Sequence, residues 1–322
     1  MLAALGCGSG STEGPPVPAP DSATVEASVD SALPADTSAS DTCFDSTTDA
    51  PTPLPDGDAT ESEVGAPEHL YGVTVDDIAP LTAIVDALGK FRKRPTARIV
   101  FDEGQPASYY KDAVAKIGKV AGVMGEILDS QYVNTLSVAD YGKRTTEYLD
   151  ALGATVDLWE VGNEINGEWL GTTSDVVAKA SSAFDLVRKR GYRTALTLYW
   201  NAPCYSKADH EMFTWTAANI PDSMKKGLDY VLVSYYDDDC PGTKPDWPTV
   251  FAKLAAMFPA AKVGIGECGT TKDAAKTEFI NRYYTLTVPE PRYVGGGFWW
   301  YFVGDMVPAT KPLWSVLDAT MK

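Results

Sequence analysis

Eight short apolar runs, each followed by a longer amphipathic stretch, predict a (β/α)8 TIM barrel over residues 67–322. Two further features point the same way. Residues 67–322 have the length of one such barrel. Polar and aromatic residues collect just after the apolar runs, where the loops of a parallel barrel build its mouth. An open doubly wound sheet is the structural alternative, and eight repeats favour closure.

The runs are Tyr71–Val75, Arg98–Asp102, Val120–Ile127, Leu158–Asn163, Thr194–Tyr199, Tyr230–Tyr236, Lys262–Gly266 and Gly296–Phe302. Their apolar content suits strands covered on both faces. Helices are predicted over 109–119, 138–152, 174–190 and 272–286, among others. The third carries its signals openly. Ser174 can cap the start, apolar residues recur at three and four, basic residues fill the last turn and Gly191 stops it. Pro248 suits the first turn of a further helix.

Charge divides the chain of 322 residues. Residues 1–66 hold twelve acidic side chains and no Lys or Arg, so twelve of the seventeen excess negative charges lie there. That stretch is rich in Pro, Ser, Thr, Ala and Gly and poor in large apolar residues. It cannot bury enough surface to offset the entropy of ordering it. Residues 8–66 are therefore expected to be a disordered acidic tether. A negative chain argues against nucleic acid as partner.

The opening "MLAALGCGSG" resembles the end of a bacterial lipoprotein signal. The resemblance implies a signal end at 1–7, lipid on Cys7, and an exported domain held off the membrane by the tether. Export permits disulfides. Cys204 and Cys240 follow successive strands at the same end of the sheet, so a Cys204–Cys240 bridge is expected; two free thiols are the alternative. The state of Cys43 and Cys268 is left open.

The strand ends carry the chemistry. Strand two begins at Arg98, strand four ends in Asn163-Glu164, and strand five ends in Trp200-Asn201. Strand six ends at Tyr236 and strand seven at Glu267, while strand eight carries Trp299-Trp300-Tyr301. Glu164 and Glu267 would face each other across the mouth. Glycosidic cleavage needs such a pair, one protonated and one ionised. Their repulsion and unequal surroundings would split the two pKa values.

"WEVGNE", followed about a hundred residues later by "GIGE", resembles the clan A glycoside hydrolases, a barrel superfamily that includes families 5, 39 and 53. The resemblance implies Glu164 as acid/base, Asn163 as ligand of a sugar 2-hydroxyl, and Glu267 as nucleophile. It also implies Tyr236 as hydrogen-bond donor to Glu267, Arg98 as its support, and a strand-eight Trp under the sugar. The clan often has a His two residues before the tyrosine; here that residue is Ser234.

Glu160 shares a strand face with Glu164 and is read as an ion-pair partner of Arg98. Glu103, Glu126 and Glu168 are read as solvated loop charges. Trp159 and Trp314 are assigned to packing, whereas Trp169, Trp200, Trp299 and Trp300 would line the mouth, where flat rings stack on sugars. Trp299 and Trp300 point opposite ways, so only one serves.

His69 and His210 are too scattered for a zinc or iron centre, and Asp237-Asp238-Asp239 reads as an acidic loop rather than a calcium site. No metal or cofactor is expected. The expected partner is carbohydrate and the expected state a monomer. The expected activity is retaining hydrolysis of β-linked saccharides; a catalytically idle, saccharide-binding surface lipoprotein is the alternative.

Overall fold

The computed structural model describes residues 69–240 and 242–322. The expected signal end with Cys7, the tether at 8–66, and Cys43 lie outside the described residues. The strands are β1 (Leu70–Val75), β2 (Thr96–Val100), β3 (Gly122–Glu126), β4 (Leu158–Glu160), β5 (Thr194–Tyr199), β6 (Tyr230–Tyr235), β7 (Lys262–Cys268) and β8 (Tyr293–Trp299). Each pairs in parallel with the next, and β8 pairs with β1, so the sheet closes into a barrel. The predicted (β/α)8 fold is the observed one.

Side-chain alternation explains the two cores. Val73, Ile99, Val123, Trp159, Val231 and Val263 point outward and pack beneath the helices. Leu70, Met124, Leu158, Ala195, Tyr230, Leu232, Val294 and Phe298 fill the lower part of the barrel interior. Two residues further along, the inward side chains become polar: Arg98, Glu126, Glu160 and Thr197, all buried. A strand period of two carries the chain from an apolar plug to a charged layer, and then to the mouth.

Helix boundaries follow local signals. The helix Val138–Leu152 lies as predicted and is capped by Ser137, whose Oγ accepts from Asp140 N at 3.1 Å. The next helix spans Thr173–Lys189, and its cap is Thr172 rather than Ser174. Thr172 Oγ1 accepts from Asp175 N, while Ser174 lies inside the first turn with its hydroxyl against that of Thr172.

Strand two begins and ends two residues earlier than predicted. The chain leaves the sheet after Val100 and turns at Asp102, whose carbonyl accepts from Gln105 N. Strand eight also lies earlier, because a turn follows Trp299 and Phe302 starts a short helix. Cys204 and Cys240 are disulfide-bonded, with Cα atoms 5.6 Å apart. Among the described residues Cys268 is the free thiol, buried, with Sγ directed at the Gly297 carbonyl. No helix of the described residues is long and apolar enough to cross a membrane.

The glycines of β8 are structural. Gly296 has φ of 107°, and a Cβ there would collide with the Ile265 backbone on β7. Gly296→Ala is therefore expected to lower unfolding stability by about 3 kcal/mol, seen as a drop in the urea midpoint.

Candidate active site

Arg98 stands upright in the barrel with no exposed surface. Its Nε donates to Glu160 Oε2 at 2.7 Å, and its Nη1 donates to Glu267 Oε2 at 2.7 Å. Glu160 also accepts from Thr197 Oγ1. Glu126 Oε2 lies 3.2 Å from Arg98 Nη2, yet neither Glu126 oxygen has hydrogen-bond geometry to any described group. Burial alone would pull the Arg98 pKa down, but the three carboxyls hold it well above its ordinary value. One cation cannot neutralise three carboxylates in a dry interior. Glu126, without a hydrogen bond to its charged form, is the carboxyl that yields. Burial pushes its pKa well above the usual range, against the pull of Arg98. Glu126, expected as a solvated loop charge, is instead an inward position of β3 and is wholly buried.

Two backbone irregularities bring the mouth carboxyls into place. On β7, Val263 and Ile265 face outward, so strict alternation would send Glu267 outward too. Register slips by one residue there: Val233 pairs with Ile265 but Ser234 pairs with Glu267. The extra residue, Gly266, turns Glu267 inward and Cys268 outward, as a bulge does. A Cβ on Gly266 would strike Leu232 and Thr197. On the facing side, Glu164 has a left-handed backbone, φ 49°, an uncommon state for a residue with a side chain. This turn lies four residues beyond the end of β4 at Glu160.

The two carboxyls are held by different chemistry. Glu267 Oε2 takes the Arg98 bond and a longer one from Asn163 Nδ2 at 3.4 Å, and Oε1 accepts from Tyr236 OH at 2.6 Å. Glu164 has only hydroxyl partners: Ser130 Oγ at 2.8 Å on Oε2 and Ser234 Oγ at 2.6 Å on Oε1. Burial, then the charge of Glu267, pushes Glu164 up to about 8, although both serine bonds oppose the shift. Burial raises Glu267 as well, but Arg98 and the Tyr236 hydrogen bond act against it. A guanidinium can only stabilise an anion, whereas a hydroxyl serves a carboxyl in either state. Ser130 also accepts from Trp169 Nε1 at 3.3 Å, which fixes the position of its hydroxyl beside Glu164. Ser234 can turn with the protonation of Glu164. It is also the strand partner of Glu267, so one residue ties both carboxyls together.

Both open into one cavity of about 490 Å³. Asn163, Tyr236, Trp300 and Tyr301 line it from the β4, β6 and β8 sides, and Asp129, Ser130 and Gln131 from the segment after β3. Trp169, Tyr199 and Asp239 complete the wall. Trp300 lies over Arg98, whose guanidinium carbon is 5.7 Å from the ring centroid. Trp169 meets Tyr199 edge-on at 5.3 Å. Asn163 Oδ1 is buried without a partner among the described residues, next to Glu267.

Three expected mouth residues lie elsewhere. Trp299 is fully buried on the outer face of β8, with Nε1 donating to Asp305 Oδ2 at 2.9 Å. Phe298 points in and Trp299 out, which leaves Trp300 for the cavity. Trp200 packs edge-on against Tyr235 at 5.3 Å. Asn201 ties down its own loop, donating to the His210 carbonyl and accepting from Met212 N. Asp129, Ser130, Gln131 and Tyr199 were not anticipated. The apolar Ile127-Leu128 pair hides the end of β3, and Tyr199 reads as the last residue of an ordinary strand. Of the acidic trio, Asp237 pairs with Arg282, Asp238 pairs with Lys272, and Asp239 reaches the cavity.

No protein-family model and no curated protein matches the sequence. Solved structures do match in fold. Gas2p of Saccharomyces cerevisiae, in complex with laminaritriose and laminaritetraose, is 15% identical over 80% of this chain, with a TM-score of 0.50. The match spans 65% of that protein's chain. A GH18 chitinase from Pseudoalteromonas aurantia is 13% identical over 77% of this chain and 98% of its own, with a TM-score of 0.51. A GH5-4 broad specificity endoglucanase from an uncultured bacterium is 14% identical over 74% and 83%, with a TM-score of 0.50. At these identities the likeness establishes the barrel.

Removing Arg98 leaves Glu160 and Glu267 buried without a counter-ion. Arg98→Met is expected to cost about 3–5 kcal/mol of stability, measured by urea unfolding, whereas loss of an exposed pair such as Lys90–Asp86 should cost under about 1 kcal/mol.

Proposed function

We propose that the chain is a retaining O-glycoside hydrolase acting on β-linked oligo- or polysaccharide. One observation carries this most: two carboxyls share a cavity, one bound by hydroxyls and pushed up to about 8, the other bound by a guanidinium and a phenol. Glu164 is thereby the carboxyl that keeps its proton, while Arg98 and Tyr236 favour the ionised form of Glu267, and that inequality is the division of labour glycosidic cleavage requires.

The steps follow from those states. A Glu267 oxygen attacks the anomeric carbon as the bond to the leaving oxygen breaks, and the Glu164 proton passes to that oxygen. Glu164, now ionised, takes a proton from water, whose oxygen displaces Glu267 from the sugar. Glu164 is again protonated and Glu267 again ionised. Arg98 and Tyr236 orient Glu267 through one hydrogen bond to each of its oxygens. Asn163 offers its free Oδ1 to a hydroxyl of the bound sugar. Tyr236 stays a donor, because burial and the neighbouring Glu267 hold its pKa well above the ordinary value. Trp300 supplies a flat apolar face.

The fold is one that carries proteins named as an endoglucanase and a chitinase, and one solved with laminari-oligosaccharides. That agrees with a saccharide substrate, while the assignment of roles rests on the cavity. Export also belongs to the proposal. The Cys204–Cys240 bridge suits an oxidising compartment, and Cys7 with the acidic 8–66 stretch would supply a lipid anchor and spacer. The domain would act as a monomer.

Glu267→Gln is expected to lower kcat on an aryl β-glycoside by at least about 10³-fold; unchanged turnover removes Glu267 as nucleophile. Glu164→Gln should cost far more on substrates with poor leaving groups than on activated aryl glycosides. Glu164 is protonated below its raised pKa and loses its proton above it, so kcat/KM of the wild type should fall as pH rises through about 8. A pH–rate profile checks this.

A further inference from the structure

The charge of the cavity wall says something about the sugar, given the glycosidase assignment above. The wall carries four carboxyls, Asp129, Glu164, Asp239 and Glu267, and no Lys, Arg or His. Nearby cations are already engaged. Arg98 lies beneath the floor, bound to Glu160 and Glu267. Lys272 is paired with Asp238 at 2.5 Å, and Arg282 with Asp237 and Glu278.

The two carboxyls with no part in bond cleavage are fixed through one oxygen each. Asp129 Oδ1 accepts from Gln131 N at 2.7 Å, and Asp239 Oδ2 accepts from Tyr199 OH at 2.9 Å. Their other oxygens have no hydrogen-bond partner among the described residues. They are positioned acceptors, and an ionised carboxylate accepts only. A sugar hydroxyl can donate to it. A uronate carboxylate or a sulfate ester cannot, and meets like charge there.

We propose that this cavity selects uncharged β-linked sugars and rejects uronate- and sulfate-bearing ones, with Asp129 and Asp239 as the residues that set the discrimination. Both hold their positions through bonds that an amide oxygen can also accept, so Asp129→Asn and Asp239→Asn change charge while keeping the local geometry.

The test uses matched aryl β-glycosides that differ only at C6: glucoside against glucuronide, and galactoside against galacturonide. Rates are measured at about 20 mM and about 0.5 M NaCl, since screening shortens the reach of a charge. The neutral member of a pair that turns over should show at least about tenfold higher kcat/KM at low salt, a preference that narrows at high salt. Each Asn variant should narrow it about threefold or more, chiefly through KM of the uronide. A uronide that reacts as fast as its neutral partner at low salt, or a preference that neither substitution alters, overturns the proposal.

Calorimetric titration of the intact protein with neutral β-glucan oligosaccharides and with the same β-linked oligosaccharides oxidised to uronates at C6 separates this from the catalytic assignment. If no glycoside turns over, the hydrolase assignment fails, and binding decides the charge proposal by itself. Tighter binding of the neutral oligosaccharides upholds it. Equal or tighter binding of the uronates, or binding of neither, contradicts it.

Discussion

The Arg98 guanidinium, buried among carboxyls in the middle of the barrel, is the interaction on which the site depends. It sits between an apolar plug and a polar mouth and links β2 to β4 and β7. A buried ion pair is not in itself a source of stability, because desolvation offsets much of the attraction. Its consequence here is electrostatic. By binding Glu267 and not Glu164, it makes two chemically identical groups unequal. Glu126, left without a hydrogen bond, yields its charge so that Arg98 can serve Glu160 and Glu267.

The same inequality explains the partner chemistry at the mouth. Ser130 and Ser234 suit the role proposed for Glu164, because a hydroxyl tolerates both protonation states of a group that would give and recover a proton. Ser234, a departure from the histidine common in the resembling clan, therefore has a place in the geometry. Its small side chain reaches Glu164 from the strand position beside Glu267. The strained backbone at Glu164 and the bulge at Gly266 are local costs of bringing the two carboxyls into one cavity.

Much of this was legible in the sequence, and what was not had physical reasons. Barrel class followed from the eight repeats, Glu164 and Glu267 from their places after apolar runs, and Asn163 and Tyr236 from the resemblance to the clan A pattern. The structure brings those four into one cavity and joins Arg98 to Glu267 from beneath. Which of Trp299 and Trp300 faces inward depends on register at the end of β8, where three glycines with positive φ disrupt simple alternation. Strict alternation on β7 would have turned Glu267 away from the mouth, and the compensating bulge has no sequence signal beyond Gly266. Trp200 and Asn201 were misplaced because the chain after β5 turns into a loop that packs on itself. Asp129 and Ser130 were hidden because an apolar pair separates them from the end of β3.

In the proposed reaction Glu267 is the group that bonds to the sugar. Incubation with an activated 2-deoxy-2-fluoro β-glycoside, whose second displacement is slow, followed by peptide mapping, tests it directly. The sugar mass should appear on the peptide containing Glu267, and the labelled protein should lose activity. Label on Glu164, or steady turnover of ordinary aryl glycosides with inversion at the anomeric carbon and no labelled peptide, would contradict it.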